Sequence, residues 1–271
     1  MPLSQRSENE GFVYNFSYMD AFLSHLDRHG LMPVFEFMGF PNQHTYFDKT
    51  ENFWFNLVAT LVKRYIGIFG IKKVSQWRFE TWNEPDLKGY NLLNCTLPVY
   101  LTAIWVFAEY LAYVDGSSKG LKEAFDGTTG KWRLGGPAGL FRDKGHPLCW
   151  GLLGACDGRH PGTSGRIDCP LKFLSFHRKG AGTADGVLNG TFLLLDTIRD
   201  KFPNLMGMPI ANDEADIEQN WSRSLEWRAD CRYAAMITKV IAGYYKSVWI
   251  ERKLKIEISD KYDLAAAQPI L

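Results

Sequence analysis

The sequence predicts an α/β fold, a (β/α)8 TIM-type barrel, on three observations. Short apolar runs alternate with longer amphipathic ones at the spacing of βαβ units, which implies a parallel sheet. Polar and ionisable residues gather at the ends of the predicted strands: Glu36, Asn83-Glu84, His177-Arg178-Lys179 and Asn212-Asp213-Glu214. Barrels build their chemistry on that face, whereas an open doubly wound sheet gathers it at one switch point, usually beside a glycine-rich phosphate turn. No G-x-G-x-x-G follows a strand, and no Walker sequence is present.

Along the chain, residues 17–29 read as a helix stopped by Gly30, whose missing Cβ suits a left-handed helix end. Residues 31–38 (LMPVFEFM) form a buried strand. Residues 50–69 carry Phe53, Leu57, Leu61 and Tyr65 at helical spacing. Residues 75–82 (SQWRFETW) alternate as a strand, and residues 99–124 form an apolar helix. A short strand at 131–136 ends in Gly-Gly-Pro, and another occupies 171–177 (LKFLSFH), followed by a helix at 185–201. Residues 208–212 are a fifth strand, residues 225–244 one long helix, and 247–258 a sixth strand candidate.

Composition narrows the function classes. Thirty-one Lys and Arg against 30 Asp and Glu leave a net charge of +1, so no basic surplus marks a nucleic-acid partner. An anionic ligand must be met by local charge. The apolar stretch 99–114 is interrupted by Glu109 and falls short of the roughly 20 residues of a membrane span, so no span is expected. Five cysteines, odd in number and without C-x-x-C pairs, read as free buried thiols rather than a zinc site or a disulfide framework. Sequons at Asn15, Asn94, Asn189 and Asn220 lean towards a secretory route, although Met1 to Asn9 carry no apolar signal-peptide core.

Two acidic strand ends carry the chemistry. In residues 80–86 (ETWNEPD), Glu84 leaves a buried strand after an amide and before a proline; burial favours its protonated form and suits a general acid. In residues 209–216 (PIANDEAD), Glu214 again ends a strand, three strands further on. Two carboxylates facing each other across a barrel mouth are the machinery of glycoside hydrolysis, and a separation of about 5 Å means retention of configuration. On spacing alone, a solvated acidic turn at 213–216 stays equally open.

Residues 79–86 (FETWNEPD), 134–137 (LGGP), 175–181 (SFHRKGA) and 212–216 (NDEAD), in this order, resemble the α-L-iduronidase branch of glycoside hydrolase family 39. Residues 227–236 (WRADCRYAAM) and 14–16 (YNF) fit as well. The resemblance implies that Glu84 is the acid/base, Glu214 the nucleophile, and Asn83 the amide that contacts the hydroxyl beside the anomeric carbon. It implies that Lys179 pairs with the substrate carboxylate. That role also has a physical ground, because a uronate needs a local cation on a chain with no global one. His177 and Arg178 stay open as structural residues, Arg178 as the partner of a neighbouring acid. Asn220 stands where the family brings a glycine backbone against the sugar.

The implied reaction is hydrolysis of terminal unsulfated α-L-iduronosidic bonds in dermatan sulfate and heparan sulfate, in the lysosome, without metal or organic cofactor. The resemblance also implies two strands ahead of residue 31 and a last strand beyond residue 243. Residues 1–243 are therefore expected as an incomplete barrel and 244–271 as a divergent tail, with residues 95–109 resembling an insertion. Two alternatives follow: a non-catalytic product, or another barrel glycosidase such as a β-xylosidase, which shares both glutamates and has no need of Lys179.

Overall fold

The computed structural model describes residues 14–38, 47–87, 100–142, 146–158, 169–220, 223–254 and 256–258. Asn94, residues 95–99 of the expected insertion, Met1 to Asn9 and the tail beyond 258 lie outside the described residues. The chain forms two compact units: residues 1–79 with 112–133, and residues 80–111 with 134–271.

The first unit holds α1 (Ser17–Arg28), β1 (Val34–Phe37), α2 (Phe47–Phe69) and the short α3 (Ile71–Val74). β2 (Arg78–Thr81) and α4 (Tyr100–Phe125) are shared in sequence between the units. Gly30 ends α1 at φ +69°, as its lack of a Cβ allows. α2 buries Phe53, Trp54, Val58, Leu61, Val62 and Tyr65, a stripe at helical period. The later part of α4 reaches it through Gly116 and Gly120, one turn apart. A Cβ at Gly120 would stand 2.7 Å from the Phe55 carbonyl oxygen and 2.9 Å from Val58 Cβ. Tyr113, beside them, meets Trp54 edge-on at 4.7 Å and donates its hydroxyl to the Phe37 carbonyl at the end of β1.

The second unit is the α/β part that carries the strand ends of interest. It contains β3 (Leu134–Gly139), α5 (Pro147–Asp157), β4 (Phe173–Phe176), α6 (Ala184–Lys201), β5 (Ile210–Asn212), α7 (Cys231–Tyr244) and β6 (Ile256–Ile258). β3, β4, β5 and β6 pair in parallel and in chain order, with Gly135 opposite Phe173, Leu174 opposite Ile210, and Ile210 opposite Ile256. Winding in one direction without a reversal leaves no switch point in this stretch, in keeping with the predicted fold class. Every residue of β3, β4 and β5 is buried. Sheets covered on both faces use apolar runs of this kind. Gly135 is needed where it stands, since a Cβ there would lie 2.1 Å from the Phe173 ring.

Several expectations change. The strand expected at 75–82 is only Arg78–Thr81, and its last three residues are all buried rather than alternating, because the strand is covered on both faces. The strand expected at 131–136 begins at Leu134 and runs through the Gly-Gly-Pro to Gly139. The long helix expected at 225–244 breaks at Asp230. A 3-10 turn (Glu226–Ala229) precedes it, and its carboxylate accepts the Arg232 N–H to cap α7. α5 has no counterpart in the sequence reading. It is buried along nearly its whole length, so it carries no amphipathic period to detect.

The thiol expectation is overturned in part. Cys156 and Cys169 form a disulfide that ties the end of α5 to the approach to β4, and Cys231 is exposed; Cys149 alone is a free buried thiol among the described residues. Spacing in the sequence had no means of showing that these two positions meet. Asn15, Asn189 and Asn220 are all exposed, and no described helix is long and apolar enough to cross a membrane.

Candidate active site

The turn after β2 presents the first carboxylate. Trp82 and Glu84, on either side of Asn83, both have left-handed backbones, at φ +55° and +46°. Such positions cost about 1–3 kcal/mol each for a side-chain-bearing residue and persist only where surrounding bonds enforce them. The enforcing bonds are the Glu84 N–H donating to Ala138 O at 2.8 Å and the Leu87 N–H donating to Glu84 O at 2.9 Å. Asp86 adds two more, accepting the backbone N–H groups of Leu140 and Phe141 at 2.9 and 2.6 Å. The Asn-Glu-Pro-Asp turn is thereby fastened to the chain leaving β3, and Glu84 is aimed inward, 4% exposed. The amide oxygen of Asn83 is buried with no hydrogen-bond partner among the described residues.

β4 and β5 continue their pairing through a side chain. Asn212 accepts the Arg178 N–H at 2.9 Å and donates to the Arg178 carbonyl at 3.0 Å, while its amide also donates to the Tyr244 hydroxyl at 2.7 Å. Past the strands the two segments stay joined: the Gly180 N–H donates to Asp216 O at 2.7 Å, and the Gly182 N–H to Ile217 O at 2.9 Å. Asp216 is held in turn by the Arg228 guanidinium at 2.7 Å and the Tyr233 hydroxyl at 3.0 Å. Among the described residues Arg178 does not form the ion pair considered for it. Its guanidinium donates to the carbonyls of Leu140 and Phe141, the residues whose N–H groups Asp86 holds.

These supports bring together Glu84, His177, Lys179, Asp213 and Glu214. Carboxylate oxygens of Glu84 and Glu214 and a ring nitrogen of His177 lie within 4.8 Å of one another. The Lys179 ammonium stands between the two glutamates, 2.5 Å from Glu214 Oε2 and 3.2 Å from Glu84 Oε1. His177 is wholly buried, with Nδ1 2.8 Å from Glu84 Oε1 and 3.5 Å from Glu214 Oε2, and Nε2 3.4 Å from Asp213 Oδ1. The trio of Glu84, His177 and Glu214 is close enough for a metal ion, but both carboxylates already face an ammonium that supplies the positive charge.

Electrostatics follow from the crowding. Burial pushes the Glu84 carboxyl up, but the hydrogen bond and charge of His177, with the charge of Lys179, outweigh it and hold the carboxyl below its ordinary value. Burial pushes His177 down, and the charges of Asp213, Glu84 and Glu214 with the Glu84 hydrogen bond raise it overall. Lys179 behaves alike, its burial outweighed by Glu214 and Glu84, so its ammonium is retained. The arrangement offers two carboxylates on one small volume, one deeply enclosed and one 27% exposed, with a cation shared between them. That is a place where a bond between two oxygen-bearing groups can be attacked from one side and protonated from the other.

Of the residues expected at the site, Glu84, Glu214 and Lys179 converge, and Asn83 adjoins them in the same turn. Asn220 is exposed, with its N–H donating to Glu218 and its carbonyl accepting from Arg228. His177 and Asp213 are the residues the sequence reading did not assign. Their signal lay in their immediate neighbours, one two residues before Lys179 and the other beside Glu214.

The family profile "Glycosyl hydrolases family 39" matches residues 2–250. The chain is 40% identical to human alpha-L-iduronidase over 245 residues, covering 88% of this chain and 35% of the relative. It is 37% identical to the mouse alpha-L-iduronidase over 245 residues, covering 89% and 36%. The chain thus spans about a third of the length of the curated relatives it matches. Among solved structures it is similar to the bacterial orthologue of human α-L-iduronidase, at a TM-score of 0.72 and 24% identity over 94% of this chain and 41% of that one. A monomeric beta-xylosidase from Caulobacter crescentus CB15 matches with a TM-score of 0.61 and 20% identity, covering 88% and 48%.

Proposed function

The chain belongs to glycosyl hydrolase family 39, and on that premise we propose that it is a retaining glycosidase of the α-L-iduronidase type. Its substrates on this reading are terminal unsulfated α-L-iduronosidic linkages of dermatan sulfate and heparan sulfate. The observation that carries the reading is the pair of carboxylates, Glu84 and Glu214, with oxygens within 4.8 Å and one ammonium between them. Retaining enzymes separate their carboxyls by about 5–5.5 Å and inverting enzymes by about 6.5–9.5 Å, so the spacing supports a covalent intermediate.

In the first step Glu214, the more open carboxylate, attacks the anomeric carbon while Glu84, in its protonated form, gives its proton to the departing glycosidic oxygen. In the second, the Glu84 carboxylate takes a proton from water, which displaces Glu214 and restores the configuration. The uronate of the substrate meets Lys179, whose three ammonium donors can serve it and a glutamate together. Asn83 offers its amide to the hydroxyl beside the anomeric carbon. The lysosome is the proposed compartment. The exposed asparagines of three sequons and the Cys156–Cys169 disulfide support passage through an oxidising secretory route.

The test is turnover of a fluorogenic α-L-iduronide by the full chain, with a fluorogenic β-xyloside beside it. A 2-fluoro-iduronosyl fluoride should leave its sugar on a peptide containing Glu214, read by mass spectrometry. Preference for the xyloside, or turnover unchanged in Glu214→Ala, refutes the assignment.

A further inference from the structure

Asp213 is buried within the cluster, its side chain wholly enclosed, and it stands between the end of β5 and Glu214. A buried carboxylate needs a counter-charge, since removing an ion from water is expensive unless it is paired. The imidazole of His177, equally enclosed, faces it at 3.4 Å through Nε2. The opposite ring nitrogen of His177 is 2.8 Å from Glu84 Oε1 and 3.5 Å from Glu214 Oε2. Glu84 comes from the turn after β2 and both Asp213 and Glu214 from the end of β5, so these carboxylates surround one ring, with Lys179 beyond it on Glu84 and Glu214.

We propose that Asp213 is a positioning residue for Glu84 and acts through His177. Resting on the reading of Glu84 as the acid/base, the proposal adds how that group is held. With an anion at each end, the ring carries a proton on both nitrogens, and the Nδ1–H then fixes Glu84 Oε1 in place. Backbone bonds hold the geometry from both strands: the His177 N–H donates to Gly139 O at 2.9 Å and the Asp213 N–H to Phe176 O at 3.3 Å. Its complete enclosure leaves the ring little room to turn away from either carboxylate. The raised protonation of His177, with Asp213 its largest favourable contribution, is in keeping with this arrangement. Asp213 is accordingly a residue that touches no substrate and still decides the charge seen by the proton donor.

The experiment labels the histidines of the full chain with 15N and follows the ring nitrogens against pH, the His177 signal being the one lost in His177→Gln. Both nitrogens should stay protonated to a higher pH than in free histidine. In Asp213→Asn the midpoint should fall by about one pH unit or more, and Glu84→Gln should lower it as well. In Asp213→Asn the alkaline limb of kcat/KM should also move to higher pH, a change that a merely structural defect would not produce. A His177 midpoint unmoved by Asp213→Asn overturns the proposal. Should that variant not fold, a singly protonated ring in the unmodified chain below pH 6.5 overturns it equally. Absence of iduronide turnover in the unmodified chain sinks the substrate reading alone, because the histidine titration decides the Asp213 linkage without it.

Discussion

Replacing Lys179 by Met keeps an unbranched apolar stem and removes the charge that stands 2.5 Å from Glu214 and 3.2 Å from Glu84. The two carboxylates, with oxygens within 4.8 Å of each other, then face each other without it. At an effective dielectric of about 20 the attraction lost between the ammonium and Glu84 at 3.2 Å is about 5 kcal/mol. One pH unit corresponds to about 1.4 kcal/mol, so even after discounting for solvent the effect exceeds about one pH unit. The proton it favours goes to Glu84, which is more deeply buried than Glu214.

The sign is fixed by the role of each group. Glu84 must be protonated in the first step, so kcat/KM declines as pH rises through its titration. His177 and Lys179 now hold that titration low. Without Lys179 the alkaline limb should therefore move to higher pH by at least about one unit, on uronide and neutral glycoside alike. At the respective optima the uronide should lose a further factor, because its carboxylate has lost a charge-assisted hydrogen bond of about 1.5–3 kcal/mol. That amounts to about 10- to 150-fold in kcat/KM. The assay is a pair of pH profiles on a fluorogenic α-L-iduronide and a fluorogenic β-xyloside. A limb that stays in place or moves down refutes the electrostatic reasoning, and an equal loss on both sugars refutes Lys179 as the uronate partner.

Arg228→Leu strips Asp216 of its guanidinium while leaving Tyr233, and should destabilise the chain by about 3–5 kcal/mol in urea unfolding, as for other broken buried pairs. A change under about 0.5 kcal/mol would show that the pair is solvated. Reducing the Cys156–Cys169 disulfide, with 13 residues of separation, should cost about 3 kcal/mol by chain entropy, read as the difference in unfolding midpoint with and without reductant. Gly135→Ala drives a methyl into the Phe173 ring and should cost about 1–3 kcal/mol, whereas Gly207→Ala, with open space around it, should cost far less.

Much of the fold was legible because burial writes a period into the residues. α2 follows Phe53, Leu61 and Tyr65, and the apolar runs of β4 and β5 mark strands covered on both faces. α5 was not legible for the converse reason: a helix buried nearly all round has no polar face to set its period. The break at Asp230 was written in an ordinary capping residue but masked by the apolar residues on either side.

At the site, the sequence by itself determined which chemistry is available. Glu84 after an amide and before a proline, Glu214 at a second strand end, and Lys179 at a third supply two acids and a cation wherever the chain places them. Tertiary structure alone decided that these strand ends meet within 4.8 Å, that Lys179 stands between the acids, and that His177 turns one ring nitrogen to each side. It also paired Cys156 with Cys169, and it used the Asn212 side chain to join β5 to Arg178 past the end of β4. The physical reason is that side-chain identity is local, whereas distance, burial and the charge on a shared proton arise only when segments far apart in sequence pack against one another.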